Sequence, residues 1–437
     1  MSSNVGRGGA SLPIRPSDAG AQRSPGRRPK ERQSSSHIVL VACARTKTAG
    51  RNPAKDLYTS EWFRDARRVA EQYASDWFIL SAKHGLVTPN RALDPYDLSL
   101  ADQTSEFRAR WADSVVHALG RACPNMDRLS ILAGHDYSAP LVPSLRPRST
   151  ALFAPLLFRH DELQRGWMRQ RVRASQRIRD MEMFHSLMGR LMQLTGTAPL
   201  LRDLTSSSFR AARGVYFFLD DAQPRWTDSS PRVVRVGTHA VSAGSRSSLW
   251  GRLRAHRGNL DLGGNHRSSI FRLHVGAALL AEGKTSAAAS WGRVQGASAA
   301  VLRAEADLER KVSSYIGSLR VVWIEVPDAP SPYSDRAYLE RNSIALLAGP
   351  LGPLDPPTED WLGRCSSHDV IRTSGLWNLD HVRGEYTAEF LGVLESYVAA
   401  REGRRPLPSA SIAPAGWNAR WATHEQGGQV RLFEETD

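Results

Sequence analysis

Acidic residues are in short supply. Asp and Glu number 44 against 58 Lys and Arg over 437 residues, leaving a formal charge of +14. That balance excludes an acidic surface that would repel phosphate, and it suits nucleic acid or an anionic membrane as partner. Most of the excess is arginine, whose planar donor fork matches phosphate. A G+C-rich genome also raises Arg, Ala and Gly, so charge alone leaves both explanations open. Cysteine is scarcer still: Cys43, Cys123 and Cys365 stand far apart. They support neither a disulfide framework nor a cysteine-built zinc site, and they fit a reducing cytoplasm. No apolar run reaches the ~18 residues of a membrane span. The basic N-terminus (Arg7, Arg15, Arg23, Arg27, Arg28, Lys30) has no apolar core and does not read as a secretory signal. Zinc-deaminase spacing, a serine-hydrolase elbow and a Walker loop are all missing.

The length allows two or three domains, and 41% hydrophobic residues suffice for ordinary cores. Residues 1–36, rich in Gly, Ser, Pro and Arg, read as a disordered basic tail. From His37 to about 160 the order is strand (His37–Ala42), helix (Asp56–Tyr73), strand (Trp77–Leu80), helix (Thr104–Leu119), strand (Leu129–Ala133). That order predicts an α/β domain with a largely parallel sheet. Residues 161–204 read as a helical linker, with arginines at 165, 169, 171, 173, 177 and 179 facing either DNA or solvent. Over 205–395, Val215–Leu219, Val233–Gly237 and Leu319–Val326 read as strands. Asp220–Pro231 reads as a polar loop, and Leu249–His256, Ala297–Tyr315 and Arg336–Leu347 as helices. Residues 396–437 read as an irregular extension in which Arg431-Leu432-Phe433 can add an edge strand.

Phosphodiester hydrolysis needs a positioned water, balance for the charge developing on phosphorus, and a base or a metal ion. Several scattered residues can supply these. Glu340, on a helix beside Leu339, is a candidate ligand for one hard cation such as Mg²⁺ or Mn²⁺, or a solvated glutamate. Arg252 and His256, four apart, share a helix face; Arg252 can hold a phosphate and His256 can accept or orient a proton. Arg254 points elsewhere, towards backbone phosphate or solvent. Tyr216, inside an apolar strand, either fixes the water or fills the core. Gly237 allows close backbone approach or accommodates a turn, and Asn378 anchors backbone or forms a turn. In Gly263–Ser269 the amides with His266 and Arg267 can embrace a phosphate.

Gly214-Val215-Tyr216, Arg235-Val236-Gly237, Arg252 with His256, Glu340 and Asn378, in that order, resemble the GIY-YIG nuclease superfamily. The resemblance covers about 205–390 with a long insert at 258–318. It implies an α+β domain with a small antiparallel sheet that cleaves DNA, double-stranded in the first instance, with one divalent cation. The second motif departs from the family by carrying Arg235 where tyrosine is usual. This makes Arg235 a phosphate ligand with His239 or His256 as base, or else leaves a domain that binds DNA and cuts poorly. Upstream, Cys43-Ala44-Arg45-Thr46-Lys47, Asp56–Ser60, Leu80–Val87, Pro95-Tyr96-Asp97 and Ala133–Tyr137 resemble DUF6884, an uncharacterised family distantly similar to YaaA proteins. These segments follow strand ends, where Lys47, Lys83, His84, Tyr58 and Ser60 can hold a phosphate or base. There Asp97 or Asp136 can act as acid or base, and Cys43 as nucleophile or structural thiol. Three functions remain open: a metal-dependent DNA endonuclease, in defence or on modified DNA as the resemblance implies; an N-glycosidase-like enzyme with a DNA-binding C-terminal domain; and a non-catalytic nucleic-acid binder.

Overall fold

The structure is a computed structural model describing residues 36–172, 175–196, 198–209, 213–259, 261, 263–283, 289–293 and 297–417. Residues 1–35 of the expected tail and the expected strand at 431–433 lie outside these. No helix among the described residues is long and apolar enough to cross a membrane.

The first sheet contains β1 (His37–Ala42), β2 (Asp76–Ser81), β3 (Gly85–Val87), β4 (Arg128–Leu132) and β5 (Ala151–Phe153), in the order β3-β2-β1-β4-β5. All pairs are parallel except β2 with β3. Alternation along β1 divides its side chains between two layers. Ile38 and Leu40 pack with Trp111, Val115 and Leu119 of α2 (Ser105–Ala122) and Leu141 of α3 (His135–Leu145). Val39 and Val41 pack with Phe63 and Val69 of α1 (Glu61–Tyr73) and Trp167 of α4 (Asp161–Val172). Helix α1 starts later than its periodicity suggests, because Ser60 Oγ caps it by accepting from Phe63 N at 3.1 Å.

The second sheet has three antiparallel strands: β6 (Gly214–Pro224), β7 (Pro231–Gly237) and β8 (Arg320–Glu325), in the order β8-β6-β7. Its central strand sends Val215, Phe217 and Leu219 to one layer and Tyr216 and Phe218 to the other. The first layer holds α5 (Gln176–Leu194), α9 (Asp335–Ala348) and α10 (Phe390–Arg401). The second holds α6 (Leu249–Arg257), α7 (Ile270–Ala281) and α8 (Ala299–Gly317).

Four expectations change. The segment 161–204 is not a linker: α4 belongs to the first sheet's core and α5 to the second's, through Met181, Phe184 and Leu191. Of its described arginines, Arg171 and Arg177 are buried, while Arg169 and Arg179 stay exposed. Arg169 pairs with Asp65 at 2.8 Å, Arg171 is buried over Trp226 at 4.2 Å, and Arg177 donates to Leu346 O at 2.9 Å. Asp220–Pro231 is half strand, since β6 runs to Pro224 and β7 starts at Pro231, with 225–230 as the loop between them. The hairpin tip between them drives Trp226 into the first domain, where it is fully buried against His37, Tyr73 and Trp167. The insert contributes core as well as loop, because Phe271, Val275 and Ala278 of α7 are fully buried. Finally, helix α10 runs through the expected edge at 395 to Arg401, so 396–401 are not irregular.

Candidate active site

The site forms where β6 begins and β7 ends. Tyr216 and Gly237 are direct partners in the ladder, so they share a face. A methyl group on Gly237 would lie 2.2 Å from Tyr216 Oη. The glycine is therefore required for the phenol to cross β7. Tyr216 Oη is 2.8 Å from His256 Nε2, and His256 Nδ1 is 2.7 Å from Ser269 Oγ. Ser269, which caps α7, also accepts from Arg272 N at 3.3 Å. Among the described residues, His256 is the acceptor available for the Ser269 hydroxyl proton. That proton therefore sits on the bond to Nδ1, and Nε2–H donates to Tyr216 Oη. The Tyr216 hydroxyl is left as a donor aimed away from His256. Burial, and then the charges of Arg235, Arg252 and Arg272, hold the His256 imidazole well below its usual range, so it is neutral. Completely buried, it touches no bulk water. The expected role of His256 as acceptor of the water's proton gives way to that of a donor fixing Tyr216.

Both ring nitrogens of His239 are engaged. Its Nε2 accepts from Gly214 N at 3.3 Å, which leaves Nδ1–H for Ser247 O at 3.1 Å. Burial and the Arg336 charge push its pKa down to about 4. It ties the start of β6 to the segment before α6. Arg235 does not reach out to phosphate. It is buried over the Phe271 ring at 4.9 Å and donates to Trp377 O at 2.6 Å. Burial lowers its pKa and the nearby Tyr216 oxygen supports its charge. Asn378 anchors backbone: its amide donates to Val236 O at 2.8 Å and accepts from Val236 N at 3.1 Å. With Trp377 N donating to Val234 O at 2.8 Å, this segment covers the free edge of β7.

Glu340 and Arg252 complete the opening. Glu340 Oε1 accepts from Thr238 N at 3.1 Å, one residue beyond Gly237. Its Oε2 has no protein partner among the described residues. Burial pushes the carboxyl up to about 7, against the pull of Arg235, the Thr238 amide and Arg252, while Asp380 adds to the rise. Arg252 lies one helical turn before His256. Its half-exposed guanidinium makes no side-chain hydrogen bond or ion pair among the described residues. Among those residues no group of three or more His, Cys, Asp or Glu gathers as a metal cage. A single open carboxylate oxygen fits a hard ion that keeps most of its shell as water and substrate oxygen, as Mg²⁺ does. It does not fit an ion that needs a cage of protein ligands.

The glycine-rich loop differs from expectation. His266 is stacked on Trp291 at 3.9 Å and hydrogen-bonded to Glu309 at 3.0 Å, and Arg267 is paired with Glu305 at 2.7 Å. These contacts fasten the loop to α8 and leave neither side chain to embrace a phosphate. Exposed Arg254 instead lines a depression of about 460 Å³ with Arg257, Asn259, Asn265 and Ser268. Sequence reasoning passed over two residues of the site, Thr238 and Ser269. Ser269 ends the Gly263–Ser269 segment and Thr238 follows Gly237 directly, and no local pattern marks either.

In the first domain, Cys43, Tyr58, Lys47, Lys83 and His84 gather at the carboxyl ends of β1 and β2. Cys43 Sγ is 3.2 Å from Tyr137 Oη, Tyr58 Oη is 3.0 Å from Tyr96 Oη, and both lysines and His84 lie against the Tyr96 ring. Ser60 is not among them, since its oxygen caps α1. Asp136 is engaged with Arg108 at 3.0 Å rather than poised as an acid. Asp97 is exposed and acts on Lys47 at longer range.

The GIY-YIG domain family matches residues 175–404, and a family of unknown function, DUF6884, matches residues 38–170. No curated protein and no solved structure matches the chain.

Proposed function

The chain belongs to the GIY-YIG family, and from that premise we propose that it is a divalent-metal-dependent endonuclease hydrolysing phosphodiester bonds in double-stranded DNA. The observation that carries this reading is the pairing of two unsatisfied groups beside one fixed phenol. Among the described residues, Glu340 Oε2 and the Arg252 guanidinium have no side-chain partner; the Arg252 charge acts on Glu340, whose Oε1 holds the Thr238 amide next to Gly237, where Tyr216 crosses. Glu340 would hold a single Mg²⁺ or Mn²⁺, which when bound supplies Lewis acidity and a water of lowered pKa. Arg252 grips a non-bridging oxygen and balances charge as the phosphorus gains its fifth oxygen. Tyr216, as fully buried as His256 and held from behind by His256 and Ser269, underlies the site and fixes its polar floor rather than meeting bulk water. Arg235, replacing the usual tyrosine, braces Tyr216 from inside the core. The depression bearing Arg254 lets the duplex backbone continue past the site.

Arg252 separates transition-state stabilisation from simple binding. Arg252→Ala is expected to lower kcat/KM for nicking of supercoiled DNA by about 10²–10³-fold. DNA affinity measured without metal is expected to fall by less than about tenfold. Equal losses in both would make Arg252 a binding residue only. Abasic sites without nicks would move the chemistry to the first domain.

A further inference from the structure

The first sheet has an unassigned cluster of its own, independent of the nuclease reading. The chain leaves β1 for β2 on one side, then returns to β4 on the other. The crevice between β1 and β4 is therefore the place where crossover direction reverses, the usual ligand position in open α/β sheets. Cys43, just past β1, and Tyr137, in the first turn of α3 after β4, meet across that crevice at 3.2 Å. Beside them runs a row of hydroxyls: Tyr58 Oη to Tyr96 Oη at 3.0 Å, and Tyr96 Oη to Ser81 Oγ at 2.8 Å.

Charge at this edge is one-sided. Lys47 and Lys83 stand 4.3 and 5.8 Å from the Tyr96 ring centre. Neither is in an ion pair among the described residues. Their neighbours differ: Arg45 is paired with Asp102 at 3.0 Å, and Arg108 with Asp136 at 3.0 Å. Partial burial lowers the Lys47 pKa, which an arriving anion would reverse. Lys47 donates to Arg45 O at 3.1 Å and feels only the more distant Asp97, so the two ammonium groups leave a positive excess that suits an anion. The half-exposed Cys43 thiol and the half-exposed Tyr137 and Tyr96 phenols suit a ligand whose edge carries donors and acceptors. One class of molecule carries both.

We propose that the carboxyl edge of the first sheet is a second binding site, for a nucleoside 5′-monophosphate, either free or at a DNA end. Lys47 and Lys83 take the phosphate; half-exposed Cys43, Tyr137 and Tyr96 face the base, with buried Tyr58 and Ser81 holding Tyr96 in place. The site is remote from the nuclease opening, because Trp226 docks the second domain beside His37 at the other end of β1.

The cysteines provide the test. Cys43 and Cys365 are both half-exposed, and Cys365 lies in the other domain. Iodoacetamide labelling of the full chain, resolved by peptide mass, follows both at once. The probes are the four deoxynucleoside 5′-monophosphates, their nucleosides, ribose 5-phosphate, inorganic phosphate and a 5′-phosphorylated dinucleotide. At a concentration about ten times Kd, one or more monophosphates should slow Cys43 labelling roughly tenfold and leave Cys365 unchanged. Protection by the dinucleotide in addition assigns the DNA-end source, and protection by the free monophosphates alone assigns the free nucleotide. Lys47→Met with Lys83→Met should abolish protection, measured against the variant's own ligand-free rate because the Lys47 charge acts on Cys43. Tyr137→Phe, which keeps the ring against Trp111, should remove discrimination among bases. The proposal is overturned if no monophosphate protects Cys43, if phosphate or ribose phosphate protects equally well, or if protection survives in the double lysine variant.

Discussion

Glu340→Gln is expected to lower the Mg²⁺-dependent nicking rate by at least about 10³-fold, some 4 kcal/mol of transition-state stabilisation. The substitution keeps the oxygen that accepts from Thr238 N and removes the negative charge. Folding should survive, because burial already holds this carboxyl up at about 7, so much of it is neutral near pH 7 without metal. The sign follows from linkage: a carboxyl raised above its unfolded value costs stability as pH climbs from the unfolded value towards 7. A neutral amide avoids that cost, so the variant should melt at or above the wild-type temperature at pH 8 while failing to cut. Nicking time courses and thermal unfolding on the same preparations check both halves. A variant that cuts normally would remove Glu340 from the chemistry.

Trp226→Ala is expected to produce the largest loss of stability, about 3–5 kcal/mol, as for other fully buried tryptophans. Trp226 belongs to the β6–β7 hairpin of the nuclease sheet yet is enclosed by the first domain. Its ring meets His37 at 5.0 Å and Tyr73 at 4.9 Å, the Arg171 guanidinium lies over it at 4.2 Å, and its Nε1 donates to Ser130 Oγ at 3.0 Å. Removing the indole leaves a cavity and also strips a buried guanidinium of its aromatic cover. Chemical denaturation should show a lower midpoint, while Trp226→Phe loses less. A wild-type midpoint for the alanine variant would mean that the hairpin tip does not couple the domains.

Why these two residues differ in legibility is a matter of range. Glu340 stood out because it lies beside Leu339 on a helix and in a fixed order with Gly214-Val215-Tyr216, Arg252 and His256. Each of those signals is local: a strand pattern, or an i,i+4 spacing. The two sheets were legible for the same reason, from short apolar runs and the alternation of strands with helices. Trp226 gave no such signal. It sits among Asp220, Asp221 and Asp228, and its partners His37, Tyr73 and Trp167 are remote in sequence. The arginines at 171 and 177 counted as surface charge for the same reason. Nothing local shows that an indole face and helix-end carbonyls receive them. His239 illustrates a third limit. A histidine two residues past a strand glycine looks available for catalysis until the Gly214 amide is found on its Nε2. Sequence gives the residue type, but hydrogen-bond partners decide which nitrogen is left to act.

The most direct test of the central claim is anomalous scattering from Mn²⁺ in a crystal of the protein with a short duplex. The account predicts one peak bonded to Glu340 Oε2 within the ~2.0–2.6 Å range of hard-ion oxygen ligands, with a phosphate oxygen on the same ion and Arg252 on that phosphate. A peak bonded elsewhere, with Glu340 unligated while the crystals still cleave their DNA, would contradict it.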